Sequence, residues 1–112
     1  MEKFREISFY KTKAGRSPVI DFMDSTARRD EKAKIIRVFE NVERMQSVPV
    51  NFLKKLQGRD ILWEIRVQRF RFIGFYADSR RLVLVHGFIK QSQKTPLHEI
   101  EVAVRRKSMY NS

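Results

Sequence analysis

The chain has 112 residues, is 42% apolar and contains no cysteine, which suits one domain with a single core beneath one sheet and excludes disulfides, Cys-ligated zinc and thiol catalysis. Its 24 Lys and Arg against 13 Asp and Glu give a net charge of +11, so the expected partner is polyanionic: nucleic acid, a ribosome or an acidic protein. No apolar run approaches the roughly 18 residues of a membrane span, and Met1 to Ile7 lacks the apolar stretch of a signal peptide, so a cytoplasmic protein with no membrane contact is expected.

Arg5 to Tyr10 reads as a first strand, followed by a loop from Lys11 to Arg16 that contains Gly15. Ser17-Pro18 offers an N-cap with proline at the first helical position and Asp21 in the first turn, and Val19, Phe22 and Met23 share one face of a short helix. A second helix is predicted from about Thr26 to Gln46, because Ile35, Val38, Phe39, Val42 and Met45 keep a 3.6-residue period. Pro49 ends it. The segment Phe52 to Leu56 is ambiguous, and Gly58 is a break.

Three strands are predicted next, at Ile61–Val67, Phe70–Ala77 and Arg81–Phe88. Trp63, Ile65 and Val67 alternate with Leu62, Glu64 and Arg66, as a half-buried strand requires. A last helix starts near Pro96 with Leu97, Ile100 and Val104 as its apolar stripe. The order β-α-α-β-β-β-α indicates a small α+β domain: a helical hairpin packed on a largely antiparallel sheet. From Val50 onward the net charge is +8, against +3 before it, so the basic excess lies in the sheet-forming part.

If Gln68-Arg69 is a two-residue hairpin turn, Val67 pairs with Phe70 and Arg66 lies directly across from Arg71. Like charges in cross-strand positions repel, and an anionic partner explains the arrangement; two solvated arginines, or one paired with Glu64, is the alternative. Gln-Arg lacks the Gly or Asn that tight hairpins prefer. Lys90 and Lys94 flank the exit of the last predicted strand, Lys54 and Lys55 precede the Gly58 break, and Arg69 sits on the turn. These cations suit phosphate binding.

His86 is an acid–base candidate or a hydrogen-bonded structural histidine, and His98 reads as a surface residue. Two histidines twelve positions apart make a poor metal site. Tyr76, Tyr110 and Trp63 read as packing residues, and no row of aromatics suggests a stacking platform. Walker, dinucleotide-binding, HExxH and nucleophile-elbow motifs are absent from the sequence. An enzyme of this kind would act through basic residues, without cofactor or metal. RNA suits that chemistry, since its own 2′-hydroxyl can attack the adjacent phosphate while arginine and lysine stabilise the phosphorane.

Several elements in order carry a family resemblance: Gly15–Pro18-Val19-x-Asp21-Phe22, Lys55-Leu56-x-Gly58, Leu62-Trp63-Glu64-Ile65-Arg66 and Phe70-Arg71-Phe72. They continue in His86-Gly87-Phe88-x-Lys90-x-x-Gln93-Lys94-Thr95-Pro96, then Glu99-Ile100-x-x-Ala103 and Arg106. On these residues the chain resembles the HigB-like branch of the RelE/ParE toxin superfamily, including its phage-derived members. The resemblance implies a type II toxin: a ribosome-dependent endoribonuclease that cuts translated mRNA in the ribosomal A site. A HigA-like helix-turn-helix antitoxin would hold it inactive, and operator DNA would be contacted only through that complex. The resemblance assigns Arg66 to the scissile phosphate and gives Lys90 the role of the basic residue after the last strand. With Arg71 they form the expected catalytic set, and Lys54, Lys55, Arg69 and Lys94 the expected RNA contacts. The superfamily also contains gyrase-poisoning toxins, and a non-catalytic nucleic-acid or antitoxin-binding module is the third possibility.

Overall fold

The computed structural model describes residues 2–58 and 60–112. Its elements are β1 (Glu6–Phe9), α1 (Pro18–Thr26), α2 (Arg29–Arg44), β2 (Leu53–Lys55), β3 (Trp63–Val67), β4 (Phe70–Tyr76), β5 (Arg81–Ile89) and α3 (Leu97–Tyr110). The strands form one sheet in the order β1-β5-β4-β3-β2. Only β1 and β5 run parallel; the other neighbours are antiparallel. The expected α+β class holds, with one strand more than predicted.

That strand is β2, three residues from the ambiguous Phe52–Leu56 segment, paired with β3 in the register Leu53↔Ile65. Its two exposed lysines mark an edge strand, and so short a piece carries little periodic signal. The second helix also starts later than predicted. Thr26 closes α1, and α2 begins at Arg29 with the Glu31 carboxylate accepting the Arg28 N–H at 2.9 Å, one half of a capping box. At its far end the Arg5 guanidinium donates to the carbonyl of Val42 in the last turn and to those of Met45 and Gln46 just beyond it. The α1 cap is as expected: Ser17 Oγ accepts from Ile20 N at 3.2 Å.

Both faces of the sheet are covered. Helices α1 and α2 close one face over Ile65, Val67, Phe70, Phe72, Leu82 and Leu84. The approach of α1 needs Gly87, because a Cβ there would lie 2.6 Å from the Phe22 ring. Helix α3 covers the opposite face over Leu62, Ile73, Phe75, Val83 and Val85. Residues Leu62 and Glu64, expected on a solvated face, are therefore buried. The α3 stripe is also displaced: Ala103 is its buried residue, flanked by Ile100 and Val104, while Leu97 is exposed. The described helices contain no segment long and apolar enough to cross a membrane.

Glu31 links the α2 start to the β3–β4 turn. Arg69 donates to it through Nε and Nη2, each at 2.9 Å. These hydrogen bonds, with that from the Arg28 backbone, lower the Glu31 pKa to about 2 from an ordinary 4.5. The unfolded chain binds the proton more readily, so this contribution to stability is complete above about 4.5 and is lost as pH falls toward about 2. Urea titrations of the wild type and Glu31→Gln should therefore converge through that acid window. A constant difference between the two proteins down to pH 2 would show that the carboxylate charge is not what is lost.

Candidate functional site

The predicted hairpin is present. Val67 pairs with Phe70 and Arg66 with Arg71 across a two-residue turn, in which Gln68 adopts a left-handed φ of 53°. Register then extends the row. Arg71 is opposite Phe88 on β5, and Arg66 N–H donates to Phe52 O at 2.9 Å, one step outward from the Leu53↔Ile65 pair. Phe52, Arg66, Arg71 and Phe88 thus lie side by side on the α3 face. The next row on that face is Lys54, Glu64, Ile73 and His86.

Glu64 organises these rows. It is fully buried and accepts Arg66 Nε at 3.0 Å and Thr95 Oγ1 at 2.7 Å, with Arg71 Nε at 4.0 Å. The cross-strand repulsion of the two arginines is thus answered from within the protein. Their side chains have different environments. Arg71 is 9% exposed and donates through Nη1 to the carbonyls of Gln68 (2.6 Å) and Phe70 (2.9 Å), bracing the turn. Burial lowers its pKa, and the Glu64 charge opposes that shift. Arg66 is 18% exposed and, among the described residues, its side chain is hydrogen-bonded only through Nε to Glu64, with no protein partner for either Nη group.

Two adjoining depressions share Arg66 and Gln93. One, of about 430 Å³, brings Arg66, Arg71 and Lys90 together with Phe52, Gln68 and Gln93. The other, of about 140 Å³, is lined by Lys54, Lys55, Arg66, Gln93, Lys94 and Thr95. Thr95, held by Glu64, anchors the segment after β5 that carries Lys90, Gln93 and Lys94. Six of the seven predicted cations therefore line one continuous groove. Arg69 does not: its guanidinium is paired with Glu31 and lies 4.7 Å from the centre of the Phe70 ring, on the α2 side.

His86 lies elsewhere, in a polar chain between β5 and α3. Its Nε2 is 2.7 Å from Glu99 Oε1 and its Nδ1 is 3.2 Å from Arg106 Nη1, which also donates to Val85 O at 2.9 Å. Arginine can only donate, so Nδ1 accepts and the proton sits on Nε2. Burial lowers the His86 pKa, although Glu99 works in the other direction. The ring is a neutral structural link. A roomier depression of about 700 Å³ beside it is lined by Arg16, Asp21, His86 and Arg106, but Arg16 is paired with Asp21 and Arg106 with β5. The described residues include no cluster of three or more potential metal ligands from His, Cys, Asp and Glu.

The alternative of one arginine paired with Glu64 is what the structure shows for Arg66; sequence reasoning did not foresee that Glu64 also holds Thr95 and lies within range of Arg71, nor that Phe52 flanks Arg66. A glutamate between Trp63 and Ile65 and two residues before an arginine was the available signal, since i and i+2 share a strand face.

A mixed, mostly antiparallel five-stranded sheet between two helices and a third is an α+β architecture consistent with a RelE-like fold. The chain belongs to the family of phage-derived Gp49-like proteins, whose model matches residues 22–108 and so spans every groove residue. That family is related to RelE-type toxin proteins. No curated protein matches the chain.

Proposed function

We propose that the chain is the toxin of a toxin–antitoxin pair and an endoribonuclease that cuts mRNA on the ribosome. The observation that carries this reading is Arg66: its Nε is fixed by a buried carboxylate, its Nη groups have no hydrogen-bond partner among the described residues, and it lines a groove that also holds Lys54, Lys90 and Lys94. A guanidinium held in this way is preorganised for charge that develops on a phosphate. The RNA 2′-hydroxyl gives up its proton to water and attacks the adjacent phosphorus, the P–O5′ bond breaks to leave a 2′,3′-cyclic phosphate, and the departing 5′-oxygen takes a proton from water. Arg66 stabilises the phosphorane oxygens and the surrounding lysines hold the strand, so the protein supplies charge and positioning to a nucleophile that comes from the substrate.

Primer extension on cellular mRNA after induction tests the activity. In-frame cuts that need translation are expected, and intact mRNA with an SOS response would transfer the chain to the gyrase-directed class. With purified protein, free mRNA should bind in a salt-sensitive way but be cut poorly until ribosomes are added, since the ribosome supplies orientation. Efficient site-specific cutting of naked mRNA would contradict that dependence.

Neutralisation by a folded antitoxin fits the opposite side of the sheet. There β1, α1 and α2 enclose a mainly apolar recess of about 350 Å³ between Ile7, Ile20, Ile36 and Phe39. A partner seated on it blocks entry to the ribosome by bulk and leaves Arg66 uncovered. Hydrogen exchange of the complex should show protection on α1 and α2; protection confined to Arg66, Arg71 and Lys90 would mean direct plugging instead.

A further inference from the structure

Phe52 has no core to explain it. The residue is 39% exposed, and among the described residues it belongs to neither apolar cluster. Yet its backbone is held firmly: the N–H groups of Phe52 and Leu53 both donate to Pro49 O, at 2.9 and 3.1 Å, and Phe52 O accepts from Arg66. The register puts the ring next to Arg66 on the same sheet face, and both line the depression that contains Lys90 and Gln93. An apolar ring, three cations and the side-chain amides of Gln68 and Gln93 in one recess match the three parts of a nucleotide: base face, phosphate and base edge.

We propose that Phe52 is a stacking platform for an unpaired base of single-stranded RNA, next to the phosphate held by Arg66. This rests on the nucleic-acid reading of the groove and adds to it a residue that contacts the base. A duplex keeps its base faces closed within its own stack, so Phe52 selects single strands. Because every base has a π-face, the platform discriminates strandedness rather than sequence. The ring is on ordered backbone beside the phosphate-binding arginine, so a base reaches it while the adjacent phosphate stays on Arg66.

The test uses the full chain and a 2′-O-methyl oligonucleotide, which cannot be cut, containing 2-aminopurine. Binding is followed across a salt series beside a duplex of equal length. Wild type should prefer the single strand and quench the fluorophore. Phe52→Ala should lose roughly 5- to 100-fold in single-strand affinity, with the salt slope and duplex affinity unchanged. Phe52→Trp should restore binding and quenching, whereas Phe52→Leu, apolar but without a π-face, should not. Lys90→Ala should instead reduce the salt slope by roughly 0.7, as expected for one phosphate contact. Wild-type affinity in Phe52→Ala, equal losses on single strand and duplex, or full rescue by leucine would each overturn the proposal. Such a result in a protein that still cuts mRNA removes the stacking role alone; quenching by a protein that never cuts removes the nuclease reading alone.

Discussion

Arg66→Ala is expected to abolish growth arrest. Losing one preorganised donor to a developing phosphate charge costs about 2.7–4 kcal/mol of barrier, roughly 10²–10³ in rate. The same residue is also a counter-charge for Glu64, at 3.0 Å, so some loss of stability accompanies the loss of activity. Single-turnover cleavage on ribosomes must therefore be compared at equal folded concentration. Arg66→Lys separates the two effects. It keeps a positive charge near Glu64 but replaces the planar fork by a point charge, so stability should largely return while the rate stays low. Full toxicity from soluble Arg66→Ala at matched expression would remove Arg66 from the mechanism.

The row of cross-strand partners shows what local pattern can and cannot convey. Hydrophobic alternation in Trp63–Val67 left the register to the turn that follows it, and the two-residue connection placed Arg66 opposite Arg71 as expected. It did so without Gly or Asn, by holding Gln68 in a left-handed conformation. Arg71 braces the carbonyls of that same turn. By contrast, the Arg69–Glu31 pair joins residues 38 apart, and no spacing rule reaches that far. The burial of Glu64 depends on α3 crossing the face that alternation alone assigns to solvent. Phe52 went unread because its partner strand, β3, lies beyond a break, and the strand it introduces is only three residues long. The convergence of the cations was expected from the hairpin and the strand exits, and six of the seven do converge; Arg69 departs because its partner Glu31 lies on a distant helix.

Glu64→Ala should be the most destabilising change in the groove. The carboxylate is fully buried and is the acidic group within ion-pair range of both Arg66 and Arg71. Arg66, partly exposed, can turn toward water when its partner is removed. Arg71 is nearly enclosed and keeps its charge with only the Gln68 and Phe70 carbonyls to receive it. Removing one member of a buried pair costs about 3–5 kcal/mol, mostly from the charge left behind. That is a large share of the roughly 5–15 kcal/mol by which a domain is stable. Glu64→Gln preserves shape and one acceptor oxygen, so its cost should be smaller, about 1–3 kcal/mol. Thr95→Val, which removes the 2.7 Å hydroxyl contact, should cost about 1 kcal/mol. Because Glu64 and Thr95 share one bond, the double variant should be less destabilised than the two single changes added together. Urea unfolding measures all four proteins on one scale. A Glu64→Ala protein within 1 kcal/mol of wild type would mean that Arg71 finds solvent by another route, and that the buried carboxylate does not hold the groove in place.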